Sequence, residues 1–138
     1  MVGGSEVSQD TVKRVSKTAQ GQQAEHLALQ YLLRQGLRLL QRNYRVARGP
    51  SQRAGEIDLI LQDGEGTVVF VEVRARRDSR YGGAAASIGA LKRQRLVRTA
   101  QHFLWRHGLQ RPCRFDVVAV QGDQVQWIPA AFDAQGAI

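Results

Sequence analysis

Two stretches, Gly55-Glu56-Ile57-Asp58-Leu59-Ile60-Leu61-Gln62 and Thr67-Val68-Val69-Phe70-Val71-Glu72-Val73-Arg74-Ala75-Arg76, decide the fold. Both alternate with the two-residue period of a β-strand. In the first, Ile57, Leu59 and Leu61 face one way, and Glu56, Asp58 and Ile60 the other. In the second, Val69, Val71 and Val73 form one face, and Val68, Phe70, Glu72, Arg74 and Arg76 the other. Asp63-Gly64-Glu65-Gly66 between them is a turn, so the two runs read as a hairpin. Centring it on Glu65 sets Ile57 opposite Val73, Leu59 opposite Val71 and Leu61 opposite Val69. On the other face Asp58 then meets Glu72, and Glu56 meets Arg74. A slip of one residue would turn the apolar sets outward, so the apolar pattern itself brings Asp58 and Glu72 together.

Outward from the hairpin, Ala24, Leu27, Ala28, Tyr31 and Leu32 fall at helical spacing and predict a helix over 21–35, stopped by Gly36. Residues 37–46 read as a strand whose alternation is broken at Leu39-Leu40, and 47–55, with Gly49, Pro50 and Ser51, as a loop. Residues 81–86 are a Gly/Ala-rich connection. A long helix is predicted over 87–107, with Ser87 as N-cap and Gly108 as stop. Strands follow over 114–120 and 124–128. The expected class is α/β, in the order α-β-β-β-α-β-β: a mixed central sheet of four to five strands flanked by helices. One domain, 21–133, is expected between a mobile N-terminal tail, 1–20, and a short C-terminal tail, 134–138.

The chain has 138 residues and a net charge of +8, and 17 of its 20 basic residues are arginine. From Arg74 to Arg114 there is one acid, Asp78, and none lies between Arg80 and Arg114. Such an excess favours a polyanionic partner, nucleic acid before an anionic membrane surface. Lys92, Arg93, Arg95 and Arg98 on the second helix, with Arg45, Arg76 and Arg77, are the candidate contacts. No run reaches the ~20 apolar residues of a membrane span, and the N-terminus lacks the apolar core of a signal peptide. A cytoplasmic protein is expected. A single cysteine, Cys113, excludes an internal disulfide framework and a multi-cysteine zinc site.

Two carboxylates facing each other destabilise a strand pair by a few tenths to ~1 kcal/mol. The Asp58/Glu72 arrangement makes sense around a hard cation such as Mg²⁺, which takes carboxylate and water oxygens. Arg74, on the same face, is placed to offset that charge or to contact a phosphate. Glu56 reads as a strand-edge charge paired with Arg74. Asp116 reads as a structural partner of a nearby arginine. His26, His102, His107 and Cys113 share no metal-ligand spacing. Phe103, Leu104 and Trp105 read as core.

The pair GEIDLI (55–60) and VFVEVR (69–74) resembles the PD-(D/E)XK nuclease signature. With Gly21-Gln22-Gln23-Ala24-Glu25, Asn43-Tyr44-Arg45, Lys92 and Arg114-Phe115-Asp116 in order, the chain resembles more narrowly the YraN family, of restriction-endonuclease-like fold. That resemblance spans residue 21 to about 132. It implies Asp58 and Glu72 as ligands of Mg²⁺ or Mn²⁺, completed by the Val73 carbonyl, with Glu25 approaching from the first helix. It also implies phosphodiester hydrolysis, with Glu25, Asp58, Glu72 and Arg74 as the catalytic set. Arg74 stands where the signature usually has lysine; it keeps the charge but cannot surrender a proton. DNA is the expected substrate, selected by structure rather than by base sequence, and nucleases of this fold are often homodimers. The alternatives are a non-catalytic nucleic-acid-binding module and a basic protein-interaction subunit.

Overall fold

The computed structural model describes residues 18–47, 55–76 and 88–134. The expected N-terminal tail up to residue 17, the connection at 81–86, the Ser87 cap and Arg77 lie outside them.

Helix α1 (Ala19–Arg34) begins two residues earlier than expected, because the Thr18 hydroxyl accepts the Gly21 N–H at 2.9 Å and caps it. It ends where Gly36, at φ +96°, takes a left-handed turn that a Cβ would resist. Strands β1 (Arg38–Val46), β2 (Gly55–Gln62) and β3 (Val68–Ala75) follow. Helix α2 (Ala90–Arg106), β4 (Cys113–Gln121) and β5 (Gln124–Phe132) complete the chain. Helix α2 starts after Gly89 as N-cap rather than at Ser87. Strand β5 runs four residues past its expected end at Ile128.

The five strands lie in sequence order, β1-β2-β3-β4-β5. Neighbours are antiparallel except β3 and β4, which are parallel and joined through α2. Element order and mixed sheet are those of the restriction-endonuclease-like core that the resemblance implies. Strand β3 is central, and its alternation serves both faces. Val69 and Val71 join Leu59, Leu61 and Val118 beneath Ala24, Ala28 and Leu32 of α1. Val68 and Phe70 join Tyr44, Ile60, Phe115 and Val117 beneath Leu96, Val97, Ala100 and Phe103 of α2.

Three departures interrupt the regular pairing. The β1–β2 register slips between Leu39 and Gln41, so the broken alternation at Leu39-Leu40 is a bulge. Asn43 takes φ +51° level with Asp58. The β4–β5 register slips between Phe115 and Val117, opposite Ala130 at φ +51°. There Asp116 acts as the expected structural carboxylate. It accepts from Arg114 Nε at 3.0 Å, Trp127 Nε1 at 2.8 Å and the Ala130 N–H at 2.8 Å.

Helix α2 sits hard against the start of β2. A Cβ on Gly55 would overlap the buried Thr99 side chain, whose hydroxyl is already bonded to the Arg95 carbonyl at 2.8 Å. Gly55→Ala should therefore cost roughly 1–3 kcal/mol of stability through overpacking, read as a lower urea midpoint with unchanged slope. A variant as stable as wild type would mean that α2 withdraws freely from the sheet.

Candidate active site

The hairpin register is the expected one, with Leu59 opposite Val71, Ile60 opposite Phe70 and Leu61 opposite Val69. It stops there. Beyond Leu59 and Val71 the ladder gives way, and Asp58 Oδ2 accepts the Val73 N–H at 2.8 Å. Asp58 and Glu72 are therefore not a ladder pair, as a continued hairpin would make them. A side chain replaces the strand–strand bond where β2 and β3 part. The alternation of β2 also breaks at this point. Ile57 belongs to the cluster under α2, whereas Leu59 belongs to the one under α1. The expected common face of Ile57, Leu59 and Leu61 is corrected accordingly; the left-handed Asn43 beside Asp58 accompanies the switch.

The parting strands open a cleft of about 340 Å³ beside α1 and the start of α2. Glu25 of α1, Glu56 and Asp58 of β2, Glu72 of β3 and Lys92 of α2 line it. Three of the four expected catalytic residues thus meet there. The fourth, Arg74, holds Glu72 Oε2 with its Nε at 3.6 Å. Lys92, expected on an outer docking face, instead brings its Nζ to 3.2 Å from the same oxygen. Spacing alone could not reveal this, because it depends on how α2 crosses the sheet. Its signals were its place among the landmarks of the resemblance and its standing as the single lysine of an arginine-rich helix.

Glu25 is 3% exposed and Glu72 6%, so both carboxylates are withdrawn from water. Burial pushes Glu72 up to about 7, and the Asp58 charge adds to the rise; Lys92 and Arg74 oppose it. Glu56 pairs with Arg45 at 3.6 Å rather than with Arg74 as expected. Arg93 is turned against the body, its Nε donating to the Ile88 carbonyl at 3.0 Å and its guanidinium 5.4 Å from the Phe132 ring centre. Arg95 is likewise half-buried, and Arg98 is exposed. Arg76 follows β3, its backbone N–H bonded to the Val120 carbonyl at 2.8 Å.

Among the described residues no three His, Cys, Asp or Glu side chains form a group that could hold a metal by themselves. Mg²⁺ asks for less, usually one or two carboxylates with waters and substrate phosphates. Asp58 and Glu72 in a polar cleft fit that requirement. Burial does most to raise Glu72 and the Asp58 charge adds to it; a divalent cation between the two would offset both. Among the described residues no helix is long and apolar enough to cross a membrane.

The arrangement has relatives. A UPF0102 protein of Methylibium petroleiphilum is 56% identical over 120 residues, covering 87% of this chain and 98% of its own. One from Paracidovorax citrulli is 56% identical over 122 residues, covering 88% of each chain. Among solved structures, that of SSO0001 overlays with a TM-score of 0.39 at 14% identity, covering 96% of this chain and 63% of that one. That likeness is too loose to bear on function. The model of the uncharacterised protein family UPF0102 matches residues 24–120, from the residue before Glu25, through the Asp58/Glu72 hairpin and Lys92, to Val120, one residue short of the end of β4, and to this YraN-like family the chain belongs.

Proposed function

We propose that the chain binds nucleic acid and hydrolyses its phosphodiester bonds at this cleft with Mg²⁺ or Mn²⁺, selecting substrate by structure rather than by base sequence. The observation that supports this most directly is the gathering of Glu25, Glu56, Asp58 and Glu72 with Lys92 in one cleft of a protein carrying +8. Asp58 and Glu72 hold the ion, and Glu25 orients water from the α1 side. Bound there, a divalent ion supplies Lewis acidity toward the scissile phosphate and lowers the pKa of the attacking water. Arg74 offers a fixed positive charge to a phosphate. Lys92 offers three N–H donors and, unlike arginine, a proton it can give up.

The test is a cleavage assay over duplex, flap, junction and single-stranded oligonucleotides of DNA and RNA, with Mg²⁺, Mn²⁺ or EDTA. Product that needs the metal is the expected result. Intact substrates with tight, salt-dependent binding would make the chain a non-catalytic binding module. Each neutralised phosphate contributes about −0.9 to the logarithmic salt slope on duplex DNA. Neither cleavage nor binding would leave the basic protein-interaction subunit.

A further inference from the structure

Trp105 was expected in the core, beside Phe103 and Leu104. Phe103 is buried and Leu104 packs against the core, but Trp105 is 79% exposed. A tryptophan left in water at that level covers little of the protein's own apolar surface. Its neighbours on the helix explain the placement. Arg98 and Arg95 lie seven and ten residues before Trp105, at offsets that return to one side of a helix. Lys92 follows three residues before Arg95, about 140° round the helix axis from Trp105, so the row winds round the helix to reach it, and its amine stands in the cleft. His102, on the same flank, holds the Tyr44 hydroxyl at 2.6 Å and tilts its ring 6.1 Å from the Trp105 ring. The row is thus anchored to β1 where the tryptophan projects. No acid lies on α2 or anywhere between Arg80 and Arg114; Glu72 of β3 pairs with Lys92 at the cleft end of the row.

We propose that Trp105 is a stacking platform for an unpaired base, and that the Lys92–Arg95–Arg98–Trp105 row carries a single strand of nucleic acid away from the cleft. This rests on the nucleic-acid reading of the cleft and adds a substrate class to it: DNA with a single-stranded segment, in preference to a continuous duplex. The chemistry is complementary. Guanidinium and ammonium groups track phosphates, and an exposed indole offers its face to an unstacked base of any identity. A duplex keeps its bases stacked inside and offers the indole nothing comparable. Thirteen residues of helix separate Lys92 from Trp105, a rise of about 20 Å. At 3.4 Å per nucleotide of a stacked strand that is roughly six nucleotides, so the gripped base lies about that far from the bond in the cleft.

The experiment measures binding in EDTA, so that no cleavage intervenes. The probes are a fluorescein-labelled 20-nucleotide single strand of DNA, its blunt duplex, and the duplex with a ten-nucleotide single-stranded overhang. Trp105→Ala should weaken single-strand and overhang binding about 5- to 150-fold, the range of losses for one stacked base, and blunt-duplex binding less than twofold. Trp105→Phe, which keeps an aromatic face, should restore most of the loss. Equal losses on all three probes, or none on any, would overturn the platform while leaving the nucleic-acid reading intact. No binding of any probe by the wild type would overturn both. Sedimentation of the wild type and Trp105→Ala closes the remaining route: a dimer that the substitution dissociates would show that the indole docks on a second copy of this chain instead.

Discussion

Replacing Lys92 by methionine should lower metal-dependent phosphodiester cleavage about 10²–10⁴-fold, the usual worth of a positioned proton-transfer group, whereas Arg74→Lys should change it far less. Lys92 Nζ lies 3.2 Å from Glu72 Oε2, inside the cleft, and Arg74 Nε lies 3.6 Å from the same oxygen. Both cations therefore reach one point, from a helix and from a strand. Of the two side chains only the lysine has a proton it can surrender; the guanidinium keeps its own. Lys92 is also the only lysine after residue 17, so no other amine of the described residues replaces it. Lys92→Arg separates the two roles it can play: a cut as deep as that of methionine marks proton cycling, and a mild one marks fixed charge. Single-turnover rates on one substrate, with binding titrations alongside, make the measurement. Full activity of Lys92→Met would remove the amine from the chemistry.

The second large effect is on stability. Glu72 is raised from 4.5 to about 7 by burial and by Asp58. A carboxyl raised on folding binds its proton more tightly in the native state than in the unfolded one. Its contribution is fully present below pH 4.5 and is lost as pH rises through about 7. Glutamine keeps the neutral shape at every pH. In EDTA, Glu72→Gln should match the wild type near pH 4.5 and exceed it by on the order of 3 kcal/mol at pH 8, since each pKa unit corresponds to about 1.4 kcal/mol. Millimolar Mg²⁺ should close the gap by stabilising the wild type alone, as any ligand of the native state does. Urea melts at the two pH values, with and without Mg²⁺, read all of this. A gap of the same size at both pH values would show that packing, not ionisation, distinguishes the variant. A wild type more stable than Glu72→Gln at pH 8 in EDTA would show that Lys92 and Arg74 hold the carboxylate more strongly than burial penalises it.

Much of this architecture was legible in the residues. Any even register of the β3 valines on the alternating Ile/Leu of β2 keeps the apolar sets together, and over Leu59–Gln62 the hairpin takes the one centred on Glu65. Asp58 and Glu72 could be placed near each other because strand periodicity is local and rigid. What could not be read depends on departures from periodicity or on distant neighbours. Asn43 enters the left-handed region within a strand, and Ile57 leaves the face of Leu59. Asp58 trades a ladder partner for the Val73 N–H. Lys92 enters the cleft and Trp105 leaves the core because the crossover fixes how α2 is rotated over the sheet. Composition and spacing do not state a helix's rotation; the close contact between Gly55 and Thr99 helps to fix it here.

The two outer strands share a property with consequences for association. β1 carries a bulge at Leu40 and left-handed Asn43; β5 carries the irregularity opposite Asp116 and left-handed Ala130, with Pro129 beside it. A strand from another molecule adds to a sheet only along a straight run of outward N–H and C=O groups. Bulges and proline deny it that run. Both margins of this sheet are interrupted, so stacking of copies margin to margin into a longer sheet, the route to fibrous aggregates, is obstructed on either side.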